Sequence, residues 1–542
     1  MADDKSKAAD QIEVAGHTST SDADSKQERI GFAQERDMTL WQGMKMYPWS
    51  VFWSVMVSLI IVMEGYDIVL LGGLLPQHAF AKRYGTYNEE HGWQISGPWQ
   101  AALNNSTTCG TIFGALANGF LTQRFGYRKT VLSALLFINA TIALQVFATS
   151  AGMLVAGNFL CGLPWGLFSV LAPAYASEIC PTPLRGYLAN FVCFCWAAGM
   201  LISSGVQKAF SQVDGQSAYR IPYAIQWAWP LPICCILWFA PESPWILVRR
   251  GKDAEAEAIV KRLSAKNEPV NTTAVISMMQ HTIIAEQQME DGTSYWDCFK
   301  GTNLRRTEIS CMVFMCQQFG GNAINGNAVY FFTQAGVGNE IAYKLSVGSL
   351  ALSCIGVVAS WYLIYHWGRR TLYVFDLIVS FIALIGVGTA STVSSSTTSS
   401  YIQAGIVLVS VLIGFATIGP ICYAILAEVS SVKLRSKTIS IARIAYYIAQ
   451  IIVNTVQTYL INPNELNLKG KSAWVWSVTC AILIVWAYFR LPETKDRMFE
   501  EIDILFAHKI PARKFSTTRV DVFDHDAVKP LEEHDTGRKS DV

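Results

Sequence analysis

The sequence predicts an all-α membrane protein of about twelve transmembrane helices in two parallel six-helix halves, with both termini in the cytosol. Three observations carry this. Long runs almost free of charge recur through the middle of the chain, and about twenty apolar residues suffice to cross a bilayer as a helix. Only 15% of the 542 residues are charged, against about 25% in soluble domains. Short polar patterns also return at a nearly constant offset, from Glu178 to Glu428, Arg185 to Arg435 and Pro241 to Pro492, which marks an internal duplication.

The spans are expected near 50–75, 97–121, 130–149, 151–176, 186–208 and 221–240, then 306–333, 342–364, 371–393, 401–426, 437–460 and 471–490. Their continuous apolarity favours helices over a barrel, whose strands would alternate. Residues 1–45 are polar and lack the basic start and apolar core of a signal peptide, so a disordered cytosolic tail is expected there. The first half then covers 46–240, a cytosolic helical linker 241–305, the second half 306–491 and a cytosolic tail 492–542. Within the linker, DAEAEAIVKRL has helical spacing with acids before bases, as an amphipathic helix requires. Lys and Arg gather at Arg124, Arg128 and Lys129, in the linker, at Arg369 and Arg370, and at Lys433, Arg435 and Lys437. These positions share one side if the spans alternate, and the positive-inside rule makes that side cytosolic.

The net charge of +1 offers no argument for nucleic acid or an acidic partner. The thirteen cysteines are scattered, mostly within spans, without metal-ligand spacing or a disulfide framework, and read as small packing residues. No metal cluster, nucleotide loop or nucleophile-and-base pattern is visible, so no residue is assigned a catalytic role and no cofactor beyond a coupling proton is expected. The expected partners are a small-molecule ligand and the lipid bilayer, with no obligate protein partner.

The repeated patterns are GFLTQRFGYRK, SEICPTPLRG and PESPW in the first half, answered by LIYHWGRR, AEVSSVKLRS and PETK in the second. They resemble the sugar porter family of the major facilitator superfamily over about 50–510. Within it YASEICP, LCGLPWG, FAPESPWILV, YFFTQAG and PARKFSTTRV resemble the fungal α-glucoside permeases. The resemblance implies a multi-pass plasma-membrane carrier that imports a neutral sugar such as maltose with a proton by alternating access. A proton-independent facilitator for a hexose or another disaccharide, and a sensor that binds sugar without moving it, are the alternatives.

Three charges are placed deep inside spans, where each is costly. Glu64 and Asp67, in EGYD, share a helix face at i, i+3, and Arg443 lies in the eleventh span. Two neighbouring carboxylates in low dielectric do not both ionise cheaply, so one is expected to hold a proton over part of the physiological range. By resemblance these three are the proton-coupling group; a buried ion pair that only fixes packing is the plainer alternative. Where the symporters carry a glutamate in the second span, GTIFG places Thr111.

In the seventh span Gln318, Asn322 and Asn325 follow i, i+4, i+7 as a polar stripe. Amides both donate and accept, which suits neutral sugar hydroxyls, although the same residues can bridge helices. Gln317 and Gln318 resemble the family's paired sugar-contacting glutamines. Tyr423, Tyr446 and Tyr447 are candidate platforms for a pyranose face, while Cys193 and Met200 stand where relatives place amides. By resemblance Glu178, Arg185, Glu242, Glu428, Arg435 and Glu493 form a cytosolic gating network, against the alternative of ordinary interfacial charges. Gln123 replaces the acid expected before Arg124, and the second half carries Tyr365 and His366 there.

Overall fold

The computed structural model describes residues 38–89, 92–265, 271–290, 294–322, 324, 328–393, 396–495, 497, 499–520 and 528–530. Nine described helices are long and apolar enough to cross a membrane. They are α1 (Pro48–Leu74), α3 (Tyr127–Val146), α4 (Ala151–Ile179), α5 (Thr182–Phe210), α8 (Asn339–His366), α9 (Arg369–Val393), α10 (Thr397–Val429), α11 (Arg435–Ile461) and α12 (Ala473–Arg490). Three further segments complete the two sets of six, and each departs from a plain apolar rod for a readable reason. Helix α2 (Gly97–Phe125) carries the polar run Asn104–Thr108. Segment α6 is split into Ser217–Ile225, a tight turn at Gln226–Ala228 and Pro230–Leu237, because Pro222 and Pro230 each remove a backbone donor. Segment α7 runs as a helix over Gly301–Gln317, widens to a π turn over Gln318–Asn322 with Gly321 at φ 106°, and resumes over Ala328–Gln334. Neither break is in the uninterrupted spans that apolarity alone suggests.

Close backbone approach organises each half. Gly110 and Gly114 of α2 face the carbonyls of Phe159 and Leu163 on α4, while Gly162 and Gly166 face those of Thr107 and Thr111 in return. A side chain at any of the four would meet backbone, so small residues at four-residue spacing let dispersion contacts hold the helices where lipid offers no hydrophobic drive. The equivalent pair in the second half, α8 and α10, also packs together, and α5–α8 and α2–α11 join the two halves.

On the linker side, Pro244–Arg249, Asp253–Leu263 and Thr272–Glu290 form a small helical unit around its own core of Trp245, Val260, Met279 and Ile283. The ordered chain extends further at both ends than composition suggests. Leu40–Met46 is a helix opened by a Thr39–Gln42 capping box, and the Ala265 N–H donates to the Met46 carbonyl. Beyond α12, Phe499–Ala507 is helical, and Phe506 and Phe515 are buried beneath the guanidinium groups of Arg305 and Arg306. The polar-rich tails escape a disorder reading there because a few aromatic and aliphatic residues find a face to cover. The rest of the expected N-terminal tail, 1–37, lies outside the described residues.

Direct hydrogen bonds between the halves gather on the side away from the linker. Asn462 Nδ2 donates to the Ile95 carbonyl at 2.9 Å and to Gln100 Oε1 at 2.7 Å, and Asn88 donates to Asn464 at 3.0 Å. Below them Asn104 and Asn105 donate to Thr458 and Thr455, Tyr343 to the Gly73 carbonyl, and Ser204 to Ser346. The halves are thus zipped at the outer face. Asn462→Ala removes two of these bonds, together about 1–3 kcal/mol. It is expected to shift the population outward by up to about 100-fold, read as faster external labelling of a cysteine introduced at the outer end of the cavity.

Candidate functional site

A cavity of about 380 Å³ lies between the halves, lined by α1, α2, α4 and α5 on one side and α7 to α11 on the other. Glu64, Asp67, Gln317, Gln318, Tyr423, Arg443, Tyr446 and Tyr447 all line it. These residues come from four helices far apart in sequence, and the packing of the halves brings them together. Asn325 lies outside the described residues, as does the side chain of Asn322.

The two α1 carboxylates have different surroundings. Asp67 accepts from Trp165 Nε1 at 3.1 Å on one oxygen and from Gln226 Nε2 at 3.3 Å on the other. The second donor sits in the tight turn that interrupts α6, so that break positions a ligand-like amide on the carboxylate. Glu64 is 7% exposed, and its Oε2 has no hydrogen-bond partner among the described residues. Gly65 between them meets the Trp196 backbone, and Gly199 meets that of Val62, which holds α1 tightly on α5.

Arg443 answers from the second half. Its guanidinium lies 5.4 to 5.9 Å from the ring centroids of Phe314, Tyr423, Tyr446 and Tyr447, and Nη1 donates to the Tyr423 hydroxyl at 3.1 Å. Desolvated cation–π contacts reach about 2 kcal/mol each, so aromatic faces offset part of the cost of a cation within the membrane. No described carboxylate comes within ion-pair distance of Arg443; it faces Glu64 across the cavity instead.

Gln317 Nε2 donates to Cys422 Sγ at 2.7 Å, whereas Gln318 opens the π turn and is 3% exposed. The π turn changes the helical register after Gln318. Cavity residues that the polar-stripe reading missed include Trp165, Trp196, Asn104, Gln450 and Asn454. The asparagines carried a signal, being amides within apolar spans; the tryptophans carried none, since indoles are common in any span.

A fourth intramembrane charge corrects the count of three. Asp376 of α9 is 3% exposed, lines the cavity and lies 2.8 Å from the Thr417 hydroxyl. The sequence reading passed over it; packing of α9 against α10 and α12 buries it. Thr111 also lines the cavity, and its hydroxyl donates to the Thr107 carbonyl at 2.9 Å within its own helix.

The gating candidates fall into two matching sets on the linker side. Glu242 accepts the Tyr127 N–H at 2.8 Å, at the N-terminus of α3, and Glu493 accepts the Arg369 N–H at 2.8 Å, at the N-terminus of α9. Each carboxylate compensates orphan helix donors and the helix dipole. Gly126 and Gly368 permit the approach, because a Cβ at either position would strike the carboxylate. Burial pushes the Glu242 carboxyl up, while three backbone N–H donors, from Tyr127, Ser243 and Arg128, act the other way. Glu178 accepts from Tyr127 Oη at 2.9 Å and from Ser243, with Arg249 3.9 Å away; Glu428 pairs with Arg369 at 3.3 Å and accepts from Thr494. Arg185 donates to the Cys180 carbonyl and lies over Trp245, and Arg435 begins α11. The described contacts of each of the four carboxylates stay within one six-helix half and the segment that directly follows it. They brace the inner ends of each six-helix unit. Gln123 and His366, which stand where acids were expected, contribute carbonyls to Arg250 and Lys495.

Comparison with known proteins places this geometry. A family model described as "Sugar (and other) transporter" matches residues 53–506. Maltose permease MAL31 of Saccharomyces cerevisiae is 36% identical over 501 residues, covering 90% of this chain and 81% of that protein. The general alpha-glucoside permease of the same species is 35% identical over 497 residues, covering 91% and 80%. Among solved structures, the proton:xylose symporter XylE bound to 6-bromo-6-deoxy-D-glucose aligns with a TM-score of 0.68 at 20% identity, over 85% of this chain and 99% of that one. A partially occluded inward-open form of the xylose transporter from E. coli gives 0.69 at 20% identity, over 83% and 99%. At that identity the structures speak for the fold, which is that of the major facilitator superfamily. With its cavity between two six-helix halves and a family match across nearly the whole membrane region, the chain belongs to the sugar transporter family, as a multi-pass membrane carrier and not an enzyme.

Proposed function

We propose that the protein imports a neutral α-glucoside such as maltose across the plasma membrane, in symport with a proton and by alternating access. The observation that carries this reading is the central cavity, where Glu64 and Asp67 of one half face the aromatic-caged Arg443 of the other. The names of the permease relatives support the sugar class. Amides at Gln317 and Gln318 supply donors and acceptors to hydroxyls, and Tyr423, Tyr446 and Tyr447 supply flat faces for pyranose rings. The proton is the coupling ion, and no other cofactor enters the reading.

Donors on both oxygens suit Asp67 to the ionised form, whereas Glu64 Oε2 has no such donor and suits the group that gains and loses the proton. Proton loss would restore an anion opposite Arg443 and change the attraction across the cavity. That difference biases one orientation of the halves over the other. The inner sets around Glu178 and Glu242, and Glu428 and Glu493, keep each half rigid as it rocks. A proton-independent facilitator is the second reading, favoured by Thr111, whose hydroxyl is tied to its own helix where the symporters carry a carboxylate.

Uptake of labelled maltose into transporter-null cells, at acidic and neutral external pH with and without a protonophore, separates the two. Symport requires accumulation that the protonophore abolishes; accumulation-free equilibration at both pH values supports the facilitator. Glu64→Gln is expected to abolish uphill accumulation while leaving exchange measurable, and unchanged accumulation would remove the assignment. Gln318→Ala loses hydrogen bonds worth about 0.5–1.5 kcal/mol and is expected to raise the half-saturating sugar concentration about 2- to 10-fold; wild-type kinetics would return Gln318 to helix packing. Glu428→Gln weakens the Arg369 pair and is expected to change cysteine accessibility at the inner mouth, with identical labelling counting against the brace.

A further inference from the structure

We propose that Asp376 is a second proton-binding site, in the C-terminal half, that couples protonation to the break in α10. The observation is a carboxyl buried within a membrane-spanning helix, with the Thr417 hydroxyl as its described hydrogen-bond partner. Thr417 Oγ1 lies 2.8 Å from Asp376 Oδ1 and 2.7 Å from the Ile413 carbonyl oxygen. Both distances are those of full O–H···O hydrogen bonds. A threonine hydroxyl has a single proton to donate, and a carbonyl oxygen has none. The one hydroxyl hydrogen is shared between two acceptors, so an ionised Asp376 would have at most one donor, which favours the neutral carboxyl in this place.

The surroundings agree. Asp376 is 3% exposed, borders the cavity and has no basic side chain within ion-pair distance among the described residues. Titratable neighbours are Tyr373 on its own helix and Cys480 on α12, while Arg443 of α11 faces the same cavity. None of the neighbours in contact with it supplies a fixed positive charge that would hold a carboxylate in this place.

The partner is placed to turn protonation into movement. Thr417 sits at φ −122° and ψ −89°, between the two helical pieces of α10, Thr397–Ala416 and Ile418–Val429. Pro420 adds to the break because it cannot donate to the Ala416 carbonyl. The inner piece carries Tyr423 into the cavity and Glu428 to the Arg369 brace. Loss of the Asp376 proton leaves an anion that draws the shared Thr417 hydrogen away from the Ile413 carbonyl. The carboxylate then seeks water from the cavity, and the break changes its angle. Proton release on the linker side thereby reaches both the sugar cavity and the inner brace.

The proposal rests on the proton-coupled reading, and its test separates the two. Infrared spectra of the full-length protein in lipid at neutral pH are expected to contain the carbonyl stretch of a protonated carboxylic acid that Asp376→Asn removes. Thr417→Val, which retains the shape of the side chain, is expected to shift that band to higher frequency by removing its hydrogen bond. No band change in either variant overturns the site, even where the wild type shows proton-driven uptake. In vesicles, sugar exchange by the wild type is expected to fall by up to about tenfold per pH unit as the linker-side pH is raised above the point where the proton is lost. Asp376→Asn is expected to flatten that profile because its side chain stays neutral. A wild-type exchange rate indifferent to linker-side pH, with the band present, overturns the coupling role.

Discussion

The cost of leaving a charge in hydrocarbon shapes the membrane region. Glu64, Asp67, Asp376 and Arg443 lie in membrane-spanning helices, and all four line the same space between the halves. Each is accommodated differently: Asp67 by two donors, Arg443 by four aromatic rings, Asp376 by one hydroxyl, and Glu64 with one oxygen left without a donor. Because the cost is offset only at the interface of the halves, the charges and the moving surface coincide. Anything that changes charge there changes the balance of the two orientations.

Helix breaks serve the same place. The α6 turn aims Gln226 at Asp67, the α7 π turn begins at Gln318, and the α10 break holds Thr417 against Asp376. Irregular backbone at membrane depth must line a cavity or be buried in protein. Here it also supplies polar contacts that a regular helix would point elsewhere. The glycine pairs of α2 and α4 do the reverse, keeping two long helices close so that each half can move as a body.

The two faces of the membrane region divide the labour. Amide and hydroxyl bonds from Asn88 to Asn464 close the outer face between halves, and neutral bonds of that kind can be remade at modest cost. On the linker side, Glu242 and Glu493 each bind a helix terminus of the half they follow, where charge-assisted bonds give stiffness. The second set repeats the first, so the duplication seen in the sequence is also a duplication of mechanical parts.

The sequence by itself determined the class of fold, the two halves, the family and most of the polar residues that meet in the cavity. Apolar run length and the cost of intramembrane charge are local properties, so EGYD, the paired glutamines and Arg443 are legible without coordinates. Tertiary structure decided the partners. Glu428 stands seven residues before Arg435, yet its described ion pair is with Arg369, because the end of α10 meets the start of α9. Asp376, which the sequence reading did not single out, is buried because α10 and α12 cover α9. The tryptophans, the α6 and α7 breaks and the outer zipper were likewise settled by packing, since each depends on which distant helix lies alongside.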